Sequence, residues 1–140
     1  GEGVYQADEA AIRYTGAWQQ NLVSVDELGT DTGEIYATAS EPGARYDLVF
    51  NGQEVKVTYS TGPNHGIWAI EMDGQPLRDP DDGGPLTIDA YNTTVRYGVS
   101  SSFQAEEPGE HILSLINTGD RHPEATDTVI SIARDGLHTG

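Results

Sequence analysis

Cysteine is absent from this 140-residue chain, so neither disulfides nor thiolate-bound metals hold it together. Lysine is almost absent too: Lys56 stands alone beside six arginines. No apolar run approaches the length that a membrane-spanning helix needs, and no charged-then-apolar leader opens the chain. Helical periodicity is lacking; its best stretch, residues 8–13, is barely a turn and a half. Basic charge is sparse. Seven lysines and arginines face 23 aspartates and glutamates, a formal net charge of -16. Such a surface repels phosphate backbones and anionic membranes alike. Neither a nucleic-acid partner nor membrane insertion is expected. The acid excess reads instead as a solvated or salt-adapted surface, as carboxylates for calcium, or as the complement of a cationic partner.

Turn formers are abundant. Seventeen glycines and seven prolines punctuate short runs rich in Val, Ile, Tyr, Phe and Thr, the pattern of strands joined by turns. Face parity follows from alternation. Tyr46, Leu48 and Phe50 share a face, opposite Arg45 and Asp47. Val55, Val57 and Tyr59 alternate with Glu54, Lys56 and Thr58. Between these runs, Asn51-Gly52 predicts a two-residue hairpin turn. Trp68, Ile70 and Met72 share a face of the next run, which Asp73-Gly74 ends with a second turn. Leu86, Ile88 and Ala90 form another face, and Val95, Tyr97, Val99 and Phe103 a longer one. Residues 110–117 are apolar on both faces, through Ile112, Leu113, Leu115 and Ile116, which predicts a central strand. Residues 127–134 close the domain with Val129, Ile130 and Ile132.

With residues 11–14 and 35–39 this makes about eight strands. One-sided alternation requires each sheet to bury its apolar face against another. The prediction is one all-β domain over residues 1–140, a two-sheet antiparallel β-sandwich; a closed barrel is the alternative. Residues 19–33 and 75–85 are expected to be long surface connections. The glycine-bounded ends read as a domain excised from a longer protein.

The order of landmarks carries a resemblance. Ile12, Tyr14, Thr15, Gly16 and Trp18 come first, then Pro42-Gly43 before the strand ending at Phe50 and Asn51-Gly52. Gly62-Pro63-Asn64-His65-Gly66 leads into a strand ending Met72-Asp73-Gly74. Ile88-Asp89-Ala90-Tyr91, then Pro108-Gly109-Glu110-His111-Ile112-Leu113, then Asn117-Thr118-Gly119 complete the set. The ordered set resembles the galactose-binding-like jelly-roll domains that accompany catalytic or membrane regions of bacterial and fungal extracellular proteins. That resemblance implies a jelly roll, an extracellular or cell-surface location, neighbouring domains of the same protein as partners, and a glycan or polysaccharide ligand. It also implies a possible structural Ca²⁺ where Asp8 or Glu9 meets Asp127.

Individual residues sharpen the expectation. Trp18 is either a sugar-stacking platform or a plug at the sandwich end. Trp68 shares the parity of Ile70 and Met72, which places it in the core. Tyr91 has outward parity at a strand end; beside Asp89 and Arg96 it either holds a sugar by stacking and hydrogen bonds or simply covers sheet surface. Asp79, Asp81 and Asp82, with Arg78, form an acidic loop. Hard oxygen donors suit Ca²⁺, although a solvated acidic turn explains them as well. His65, His111, His122 and His138 show no ligand spacing. No Gly-x-Ser-x-Gly elbow is present, so no catalytic residue is assigned. Asn92-Thr93-Thr94 fits a glycosylation sequon. The expected function is a non-catalytic carbohydrate-binding-like module. An architectural or protein-docking sandwich and a small glycoside-active enzyme are the alternatives.

Overall fold

The computed structural model describes residues 3–5, 12–24, 33–133 and 137–139. Among these there are eleven strands and no helix: β1 (Gly3–Tyr5), β2 (Ile12–Thr15), β3 (Gln19–Val23), β4 (Glu34–Ala39), β5 (Arg45–Thr61), β6 (Ile67–Met72), β7 (Gln75–Pro76), β8 (Thr87–Asp89), β9 (Arg96–Asn117), β10 (Ile130–Ala133) and β11 (Leu137–Thr139). Every pairing between them is antiparallel.

Two very long strands organise the fold. β5 and β9 pair with each other from Arg45↔Ile116 to Thr61↔Arg96. Their Arg45-to-Gly52 and Gly109-to-Asn117 halves form a first sheet with β2 on one side and β6, β7 and β8 on the other. Their other halves continue into a second sheet with β10, β4 and β3, while β11 lies along β5 and β1 along β11. One hydrogen-bonded network therefore folds over on itself as an all-β sandwich. Tyr59, from the second sheet, meets Trp68 of the first edge-on at 4.8 Å. Tyr46, Leu48, Phe50, Val55, Val57, Trp68, Leu113, Leu115, Ile130 and Ile132, all fully buried, make one core between the two layers.

Asn51-Gly52 is not a hairpin. Gly52 faces Gly109 across the ladder, and both take positive φ, 144° and 142°. Pairing resumes at Glu54↔Gln104, leaving residues 105–108 of β9 opposite a single residue of β5. The ladder bends here, and buried parity changes from 46, 48, 50 to 55, 57, 59. A glycine that permits a turn also permits a corner. The partner strand, far away in sequence, decides between them. Asp73-Gly74 does make a tight hairpin, with φ of 54° and 80° and Met72 opposite Gln75, as a primed turn requires. The two connections contain strands that alternation did not show: β3 lies within residues 19–33, and β7 opens residues 75–85. Residues 25–32 lie outside the described residues.

One end of the sandwich is closed by residues 118–129. Their backbone bonds to Ile67, Pro63, Asn64 and Gly66. At this end His65 is buried; its Nδ1 donates to Asn64 Oδ1 at 2.8 Å and its Nε2 accepts from the Ser60 hydroxyl at 2.7 Å. Burial lowers its pKa to about 4, so it is neutral at pH 7.

Candidate functional site

Trp18 leaves the end of β2 and lies partly buried against the core. Its ring centroid is 5.4 Å from Tyr14 and 6.2 Å from Tyr46, and its Nε1 donates to the Thr15 carbonyl at 2.9 Å. These contacts hold the ring against the aromatic end of the core. Tyr91 follows β8, on the opposite side of the same sheet. β2 and β8, which precede the two rings, are four intervals apart in that sheet, about 19 Å at ordinary strand spacing. No single sugar ring spans them.

Asp89, Tyr91 and Arg96 have neighbouring backbones. The Tyr91 N–H donates to Asp89 Oδ1 at 3.1 Å. Gly62 bridges to Tyr91 while its neighbour Thr61 pairs with Arg96, so the two backbones lie at one corner. The structure adds His122, whose imidazole stacks on Tyr91 at 4.4 Å with 5° between planes. That contact joins residues from separate loops and leaves no local trace in the sequence.

The acidic loop holds itself together. Asp79 Oδ1 accepts the Asp81 N–H and Asp82 Oδ1 accepts the Gly84 N–H, both at 2.8 Å. These are the turn-making bonds that short acidic side chains provide. Among the described residues, no three His, Asp or Glu side chains gather into a group fit for a metal ion. Asp8 and Glu9 lie outside the described residues.

Beside this loop is a groove of about 530 Å³, between the β6–β7 hairpin and the bend of β9. Met72, Leu77 and Ala105 give it an apolar floor. Its polar groups are mostly planar: Asp73, Gln75, Arg78, Gln104, Glu106, Glu107 and His111. His111 is fixed at both ring nitrogens. Nδ1 meets Asp73 Oδ2 at 2.7 Å and Nε2 meets the Glu107 carbonyl at 2.6 Å. Two acceptors require two N–H donors, so the ring favours its charged form; these hydrogen bonds raise the His111 pKa. Hydrogen bonds from His111 and the Ile112 N–H outweigh desolvation at Asp73 and hold its carboxyl below the usual range. The His111–Asp73 pair thus ties the β6–β7 turn to β9 and sets the groove's shape. In sequence, Asp73 is only a turn residue and His111 only a strand start.

A second groove, of about 440 Å³, lies on the outward face of the first sheet. Arg13, Asp47, Ser114 and Glu71 stand in one row across β2, β5, β9 and β6. Arg45 Nε binds Asp47 at 3.0 Å, and its Nη2 donates to Ser114 Oγ at 3.2 Å and approaches Glu71 at 3.7 Å. The Ser114 hydroxyl donates to Asp47. Val49 and Ile112 pair beside this row.

No family model matches the chain, and no curated protein matches it in sequence. Solved structures do. A Paenibacillus xanthan lyase overlays with a TM-score of 0.64 at 14% identity, across 98% of this chain and 13% of the lyase. A two-domain esterase active on acetylated mannans, co-crystallized with mannopentaose, gives a TM-score of 0.62 at 15% identity, across 98% of this chain and 36% of the esterase. The K2 cleaved adhesin domain of Lys-gingipain matches over the whole of both chains, with a TM-score of 0.52 and 10% identity. The chain thus spans about an eighth of the lyase and a third of the esterase. At these identities the likeness is one of fold.

Proposed function

We propose that this domain is a non-catalytic glycan-binding accessory module of an extracellular or cell-surface protein, of the galactose-binding-like jelly-roll kind. The carrying observation is the groove beside β7. Its floor is apolar, and its rim offers carboxylate, amide and guanidinium planes from separate chain segments. Such groups hydrogen-bond the paired hydroxyls of a sugar ring, while the floor receives its C–H face. Similarity in fold to portions of a xanthan lyase and a mannan esterase supports the accessory role. So does the chemistry of the rim. Asp73 is held ionised and His111 is bonded at both nitrogens, so neither is free to shuttle a proton.

Affinity gel electrophoresis tests this reading with mannan, hydroxyethylcellulose, xylan and xanthan in the gel. At least one polysaccharide should retard the wild-type domain. The double variant Gln75→Ala/Arg78→Ala should lose that retardation while melting at the wild-type temperature. Tyr91→Ala should retain it. If no polysaccharide retards the domain, the proposal fails; if Tyr91→Ala alone abolishes retardation, the site lies at Asp89, Tyr91 and Arg96 instead.

A further inference from the structure

The two grooves lie on opposite faces of β9, on either side of the Asp73-Gly74 turn. Asp73 and His111 line the first, while their neighbours Gly74 and Ile112 line the second. A ligand chain that reaches both has to round the Asp73-Gly74 turn. Their charge balance differs. The first groove carries Asp73, Glu106 and Glu107 beside Arg78 and His111. The lining of the second has two arginines, Arg13 and Arg45, to one carboxylate, Asp47. Glu71 stands 3.7 Å from Arg45 on the same face; in a chain with 23 acids and seven lysines and arginines, two arginines to two carboxylates is still a local concentration of arginine.

The two arginines are not equivalent. Arg45 is absorbed by the protein, through Asp47, Ser114 and the approach of Glu71. Arg13 sits directly across the ladder from Asp47. The Asp47 carboxylate is already engaged by Arg45 at both oxygens and by Ser114, leaving Arg13 without a side-chain partner among the described residues. A fixed row of partners holds Arg45 and Asp47 in place, and Arg13 projects a planar donor fork over the groove. A guanidinium in that position matches a carboxylate in two-point geometry. Val49 and Ile112 supply apolar contact beside it.

We infer that the outward groove is a subsite for a carboxylate-bearing sugar residue, bound through Arg13, within an oligosaccharide that continues into the first groove. This rests on the glycan-binding reading above and adds to it the charge and minimum length of the ligand. A monosaccharide fills one groove only. The ligand is therefore an acidic oligomer of several residues, and its carboxylate lies at one end of the bound stretch.

Calorimetric titration decides the matter with matched probes. Oligogalacturonides, alginate oligomers and glucuronoxylan oligomers of two to six residues are each compared with their carboxyl-reduced counterparts. An acidic probe should bind at least tenfold more tightly than its reduced form, with affinity rising with length. Arg13→Gln should remove that preference without lowering the melting temperature, and raising NaCl from 0.05 to 0.5 M should weaken the acidic probe selectively. Equal binding of acidic and reduced probes, or an unchanged preference in Arg13→Gln, overturns the subsite while leaving the glycan-binding reading intact. Failure of every acidic and neutral probe to bind removes both.

Discussion

At the scale of single residues, two histidines titrate in opposite senses. His65 is buried and neutral, with its pKa lowered to about 4. As pH falls below 6.5 the unfolded chain takes up this proton before the folded one does. The stability that neutral His65 secures is therefore complete above pH 6.5 and is lost between 6.5 and 4, up to on the order of 3 kcal/mol. Urea unfolding across that range should show wild type losing more stability than His65→Gln; parallel curves would refute this account. His111 has its pKa raised by Asp73, so its contribution is complete below the unfolded value of about 6.5 while Asp73 stays ionised, and fades as pH rises through the folded value. Parity along the strands was enough to place Trp68 inside and Tyr91 at the surface. It was silent on their partners. His122 reaches Tyr91 from a loop with no periodicity, and His111 finds Asp73 across the ladder between β6 and β9. Such pairs arise only when distant segments pack.

At the scale of elements, the sequence separates apolar faces well and joins strands badly. The runs 45–50 and 54–59 are correct in face and wrong in connection, because Asn51-Gly52 is a corner of β5 rather than its end. β3 escaped notice because its first four residues are exposed and only Val23 is buried, so no alternation marks it. Close approach leaves a clearer signature. Gly66 begins the β6 region where residues 118–129 cross it, and a Cβ added there would sit 2.8 Å from the Thr128 Cα. That neighbour is backbone, held by the Gly66-to-Val129 and Val129-to-Asn64 hydrogen bonds. Gly66→Ala should cost about 1–3 kcal/mol and lower the melting temperature by several degrees in calorimetry. At Gly74, where nothing lies within 4 Å of the added atom, the cost of alanine is one of backbone conformation alone.

The whole molecule carries its charge of -16 on a domain of 15.0 kDa. Among the described residues, only three ion pairs form, two of them at Arg45. The excess of acidic over basic groups leaves a net repulsion acting through solvent. Raising NaCl from 0.01 to 0.15 M shortens the screening length from about 30 Å to about 8 Å and should raise the melting temperature. A melting temperature independent of salt would show that this repulsion does not act on the folded state. The shared β5–β9 ladder also governs how the molecule reaches that state. Thr61 and Arg96, its near end, lie about 35 residues apart in sequence; Arg45 and Ile116, its far end, lie about 70 apart. Closing the near pair first shortens every later closure, so the ladder zips outward through the Gly52–Gly109 corner. Both layers share β5 and β9, so the first is not complete until the ladder has passed that corner. Folding is then a single slow event dominated by non-local pairing, on the millisecond-to-second scale of such β topologies.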